Sequence, residues 1–162
     1  MSAVPDAPSF GALLAPLLGK VSTADRPRFL ALLERTAAAR YRAWADEWPH
    51  HREALLTCAA SEDQIADRIE ASFTCAADTL AEMHRILPAA RDIYYGVFDG
   101  LPVVEQLRLQ AAAELQGAAA WRHVAAGLAD EADRQRLVDV LQSCSALEEQ
   151  SSRLVTELLA EG

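Results

Sequence analysis

The sequence predicts an all-α protein of one domain, and three observations carry that expectation. Alanine and leucine abound while Val, Ile and Thr are sparse, a balance that favours helix over sheet. Long stretches repeat their apolar residues every three and four positions, the period of an amphipathic helix. Five of the seven prolines precede residue 50, so most of the remaining chain is free of helix breakers. A chain of 162 residues, 51% hydrophobic and 24% charged, suffices for one buried core.

Residues 1–22 read as an N-terminal arm, extended around Pro5 and Pro8, with a short helix from Ser9 to Leu18 packed as a lid. The first long helix is expected over residues 25–48, with Asp25 as N-cap, Pro27 in the first turn and Pro49 as the stop. Its apolar stripe is Leu30, Leu33, Ala37, Tyr41, Trp44 and Trp48. The second helix, residues 51–73, carries Leu55, Cys58, Ala59, Ala66, Ile69 and Phe73 on one face. Ser61 and Gln64 have capping-box spacing, but the stripe runs through them without a phase break, so one continuous helix is expected.

Residues 75–100 read as a crossover: a short helix from Cys75 to Leu87, a stop at Pro88, and an irregular segment from Tyr94 to Gly100. The third long helix, residues 102–129, presents Val103, Leu107, Ala111, Ala118, Trp121, Ala125 and Leu128. After a turn at Asp130 and Glu131, the fourth covers residues 131–159, with Leu137, Val140, Leu141, Cys144, Ser151, Val155 and Leu158 as its stripe.

Each long helix breaks its own apolar stripe with one glutamate. At about 100° per residue, Glu62, Glu114 and Glu148 fall within about 20° of the stripe centres, and Glu34 within about 60°. All four lie within about three residues of their helix midpoints, hence within roughly 5 Å of a common level if the helices pack side by side. Four carboxylates cannot enter an apolar core uncompensated. Protonation, pairing with Arg40, Arg122 or Arg134, or bound divalent ions would each relieve them.

This constellation resembles the ferritin-like superfamily, whose four-helix bundles take one Glu from each of two helices and Glu-x-x-His from each of the other two. Glu34 and Glu114 match the lone glutamates, and Glu62 and Glu148 match those of the paired motifs. The resemblance covers about residues 25–159. It implies a bundle with a crossover between the second and third helices, iron or manganese held by Glu34, Glu62, Glu114 and Glu148, and oxidoreductase chemistry. It also allows a homodimer. Tyr41 sits where such bundles place an inward aromatic, and Gln110 and Ser151 are placed to support the site. Ile65 and Ser151 occupy the two histidine positions, so the ligand set is all oxygen and leans toward harder ions.

The histidines do not replace the missing pair. His123 points away from Glu114 on the wheel, His50 and His51 lie at the first corner, and His84 lies in the crossover. Glu47 and His50 spell Glu-x-x-His, but Pro49 breaks the helix between them. Two readings stand beside the metal centre: a metal-free scaffold of the same fold, and a small-molecule pocket bordered by Tyr41, Trp44 and Trp121.

A net charge of -9 opposes binding to nucleic acid or an anionic membrane and attracts cations. The three cysteines, Cys58, Cys75 and Cys144, fall inside helical patterns, which argues against a disulfide framework and for a cytoplasmic location. The apolar run over residues 10–19 has no basic flank and contains Pro16, so it is a poor signal peptide. No uncharged run reaches the roughly 18 residues of a membrane span.

Overall fold

The computed structural model describes residues 6–128 and 134–161. Among them are six α-helices and no strand: α1 Phe10–Leu18, α2 Arg26–Glu47, α3 Arg52–Ser72, α4 Ala77–Gly96, α5 Val103–Leu128 and α6 Gln135–Glu161. The all-α expectation therefore holds for the described residues. The turn expected at Asp130 and Glu131, the first residues of the fourth long helix, and the start of the N-terminal arm lie outside them.

Local chemistry explains most helix ends. Ser9 caps α1, its hydroxyl accepting from the Ala12 N–H at 3.2 Å. Asp25 does not cap α2 as expected. Its carboxylate accepts the Ser22 hydroxyl at 2.7 Å, and the Ser22 oxygen accepts the Asp25 N–H at 3.3 Å, so a local turn takes the side chain that the helix would have used. Pro49 ends α2, and a single 3-10 turn, Pro49–His51, leads into α3. The Ser61 hydroxyl bonds back to the Thr57 carbonyl at 3.2 Å, and α3 passes through that point unbroken.

The crossover differs from expectation. No stop occurs at Pro88, and residues 94–96 are helical. Pro88 removes the hydrogen bond to the carbonyl of His84, but both residues are exposed, which leaves that carbonyl open to solvent, and the helix continues. The buried stripe Met83, Ile86, Ala90 and Tyr94 keeps its period across the proline and holds α4 against its neighbours.

Cross-helix bonds fix the directions. Arg35 of α2 reaches Asp63, Asp67 and Glu70 of α3, and Arg28 donates to the carbonyls of Glu70 and Phe73 at the end of α3. Those pairs make α2 and α3 antiparallel. Ser145 and Ser152 of α6 donate to the carbonyls of Ala118 and Ala111 of α5, each at 2.8 Å, so α5 and α6 are antiparallel and close. Helices α3 and α6 pack together, while α2 and α5 barely touch. Helix α4 lies against α2, and α1 against α4 and the near side of α5.

The core is split by a polar level. One cluster gathers Ala37, Tyr41 and Trp44 with Cys58, Ala59, Leu107, Ala111 and Val155. A second gathers Ala31, Ile65, Ile69, Trp121, Leu141 and Cys144. On each of α2, α3, α5 and α6 a glutamate lies between the two clusters. Full burial of large residues such as Trp44, Trp121 and Phe29, worth about 1.5–3 kcal/mol per large apolar side chain, anchors the helices on both sides of that level.

Candidate metal centre

Glu62, Glu114 and Glu148 are 1%, 2% and 2% exposed, whereas Glu34 is only partly covered because it faces a cavity. Oxygens of Glu34, Glu62 and Glu148 lie within 4.8 Å of one another, near the outer limit for two ligands that share one ion at about 2.3–2.6 Å. Glu114 closes the ring, its carboxylate meeting those of Glu62 and Glu148, while Glu34 meets Glu62 and Glu148 from the other side. Three of the four residues predicted from the sequence, Glu34, Glu62 and Glu148, thus come together, and Glu114 lies beside them.

Neighbouring groups hold some oxygens and leave others open. The Tyr41 hydroxyl donates to Glu114 Oε1 at 2.5 Å, and Gln110 Nε2 donates to the same oxygen at 2.7 Å. Tyr94 donates to Gln110 Oε1 at 2.5 Å, which fixes the amide. Trp121 Nε1 donates to Glu34 Oε1 at 3.2 Å. By contrast Glu114 Oε2, Glu62 Oε1 and Ser151 Oγ are buried without a hydrogen-bond partner. Buried oxygens of that kind are rare in folded proteins and call for a ligand.

Electrostatics agree with the geometry. Burial pushes the Glu34 carboxyl up to about 7, and the Glu114 charge adds to it. Burial likewise holds Glu62 and Glu148 well above the ordinary glutamate value, with the charges of their neighbours adding. Facing carboxylates remain in contact only when a proton or a cation lies between them.

The arginines named as possible partners are engaged elsewhere. Arg40 donates to Gln106 and lies 5.0 Å from the centre of the Trp44 ring. Arg122 pairs with Glu149. Arg134 precedes α6 by one residue and stands fourteen positions before Glu148, about 21 Å away along the axis, too far for its side chain to reach the cluster. Arg40 and Arg122 are therefore not what balances the four carboxylates.

No protein family, curated protein or solved structure matches the chain. The site must be read from its own residues.

Several participants escaped the sequence reading. Gly117, one turn beyond Glu114, is the most consequential: a Cβ placed there would lie 2.8 Å from Glu148 Cδ and closer still to its Oε1. The Glu148 side chain thus rests against bare α5 backbone. Spacing of three from Glu114 was the available signal. Trp121, expected in the apolar stripe and at the border of a pocket, also donates to Glu34. Gln106, flanking the first cluster, accepts from Trp44 Nε1 at 2.8 Å.

A cavity of about 890 Å³ leads to the cluster through the gap between α2 and α5. Trp121 borders it as expected, whereas Tyr41 and Trp44 do not, because they are sealed in the first core cluster. His123 is exposed as expected but sits on the cavity wall. His50 is exposed, His51 stacks edge-on against Trp48 at 4.3 Å, and His84 is exposed on α4. No histidine joins the metal-ligating groups found among the described residues.

Proposed function

We propose that the protein is a metal-binding four-helix bundle of ferritin-like type. In this reading α2, α3, α5 and α6 form the bundle, α4 is the crossover, and Glu34, Glu62, Glu114 and Glu148 hold one or two divalent ions. The observation that carries it is the cluster of Glu34, Glu62 and Glu148 carboxylates beside Glu114, with no salt bridge to an arginine among the described residues and with buried oxygens of Glu62 and Glu114 left open. The donors fit the ion: hard oxygen ligands suit iron(II), manganese(II) and other hard divalent cations. Gln110 and Tyr41 hold one Glu114 oxygen, and the other is buried without a hydrogen-bond partner and open to a ligand. A bound iron ion would supply oxidation chemistry with dioxygen; this chain's residues would place it, exclude bulk water and admit substrate through the cavity.

The test is elemental analysis of protein purified without an affinity tag, beside the Glu62→Gln variant. One or two equivalents of iron or manganese in the native chain, lost in the variant, is the expected result. Equal metal content in both would remove Glu62 from the site. Absence of metal after anaerobic incubation with ferrous or manganous salt would leave a metal-free scaffold.

A further inference from the structure

The part of the cavity that meets the carboxylates has a chemistry of its own. Leu33 and Ala37 of α2 wall it next to Glu34, and Ala113, Gly117 and Ala120 of α5 wall it between Gln110 and Trp121. Ala120 stands eight residues, about 12 Å of helix, before the end of α5 at Leu128, so this stretch is the one nearest the cluster. The polar side chains along it are engaged. Gln110 accepts from Tyr94 and donates to Glu114, and Trp121 donates to Glu34. Gln116 spends both ends of its amide on α1, accepting the Phe10 N–H and donating to the Pro8 carbonyl, each at 2.9 Å. What stays open is Glu62 Oε1 and Glu114 Oε2, and those oxygens call for a cation. Among the described residues of this stretch, a bound molecule meets apolar carbon and no side-chain donor that lacks a partner.

We infer that this stretch takes an uncharged molecule with a hydrocarbon body, and that the carboxylate cluster faces the C–H groups of that body rather than a head group. An anionic head would be repelled by the glutamates and find no donor on the walls. An ammonium head would have to take the oxygens that hold the metal. Water gains no partner from the apolar walls either, so a hydrocarbon body displaces it favourably. The volume, about 890 Å³, falls within the range of roughly 300–1,000 Å³ typical of small-molecule sites. This names a substrate class for the proposed metal centre and rests on that reading for its chemistry, but not for binding.

Displacement of the uncharged dye Nile red from the purified full-length protein tests the inference, with hexanol, heptanol and octanol as competitors. Affinity should rise about fourfold per methylene, the value for transfer of a CH₂ out of water. Octanoate should bind more weakly than octanol, and octylammonium should bind more weakly than octanol once manganese(II) is loaded. Ala113→Phe and Ala120→Phe place a ring in the stretch beside the cluster, and each should weaken octanol about 15-fold, as though roughly two methylenes were shut out. Ala120 is exposed, so its variant folds even where the tighter Ala113 site does not accept the ring, and thermal unfolding of both variants checks this. Leu115→Ala is the control: Leu115 is exposed on α5 and does not line the cavity, so octanol affinity should stay unchanged. Affinity independent of chain length, or unaltered in folded Ala120→Phe, overturns the inference. Tighter binding of octanoate than of octanol, or of octylammonium to the manganese-loaded protein, overturns the uncharged assignment. Metal content measured on the same samples keeps the two readings apart: metal without chain-length dependence sinks this inference alone, and octanol binding without metal sinks the metal centre alone.

Discussion

Gly117→Ala separates metal binding from stability. The new methyl carbon would stand 2.8 Å from Glu148 Cδ, where carbon atoms ordinarily rest at about 3.5–4.0 Å. The carboxylate must therefore retreat by roughly 1 Å or swing to another rotamer. Metal–ligand distances tolerate only about 0.2 Å, so in the proposed metal centre Glu148 could not serve as a ligand from its present position. Loss of a supporting interaction in a metal site typically lowers affinity about 10- to 100-fold, and loss of a ligand should reach at least that range. The metal-free protein should respond in the opposite direction. Alanine is favoured over glycine inside a helix by about 0.5–1 kcal/mol, and moving Glu148 away from Glu34 and Glu62 relieves repulsion between buried carboxylates. Isothermal titration with manganese(II) and thermal unfolding of the metal-free protein measure the two effects. Unchanged manganese affinity in the variant would refute the placement of Glu148 as a ligand held against the α5 backbone.

Three other outcomes follow from the same geometry. In metal-free protein, Glu34, Glu62 and Glu148 have folded-state pKa values above the ordinary 4.5, with Glu34 at about 7. The folded state then binds more protons than the unfolded state, so stability is fullest below pH 4.5 as far as these groups decide it, and is lost as pH rises through 7. Melting temperature against pH should show that fall, and saturating metal should flatten it; a metal-free protein that gains stability over this interval would contradict the buried cluster. Tyr41→Phe deletes one of two donors to Glu114 Oε1, a bond to a charged group worth about 1.5–3 kcal/mol. It should lower metal affinity about 10- to 100-fold without changing stoichiometry, as read by metal titration. Gln116→Ala removes the bonds that tie the Phe10 N–H and the Pro8 carbonyl to α5. Hydrogen exchange in α1 should accelerate while α3 stays protected, and uniform exchange across both would show that α1 is held by its apolar face alone.

The helices and the cluster were legible for one physical reason. A 3.6-residue period survives any exchange of apolar residues, so a glutamate at the centre of a stripe stands out without further information. Glu62, Glu114 and Glu148 are each almost fully buried, as their angular positions required. Glu34, placed at the edge of its stripe by sequence, is also the one left partly uncovered. What sequence could not show depends on the distance between helices. Gly117 matters only because the Glu148 side chain lies across it, and that contact exists only once α5 and α6 are in register. The misread stop at Pro88 has a similar origin: whether a proline ends a helix depends on whether water can reach the orphaned carbonyl, which is a property of the fold.

The wide gap between α2 and α5 links the site to its surroundings. Had these two helices packed as closely as α5 and α6 do, Glu34 would be enclosed like the other three, and the cluster would have no route to solvent. Instead, the α2–α5 pair meets through long polar bridges, Tyr41 to Glu114, Trp44 to Gln106 and Trp121 to Glu34. These bridges hold the two helices together across open space, and the space becomes the cavity. Shortening them would close it: Trp121→Leu, which deletes both the indole reach and its bond to Glu34, should let α5 settle toward α2. The variant should bind metal with lower affinity and lose Nile red binding together. Retention of full dye binding would mean that the gap is kept open by the other two bridges alone.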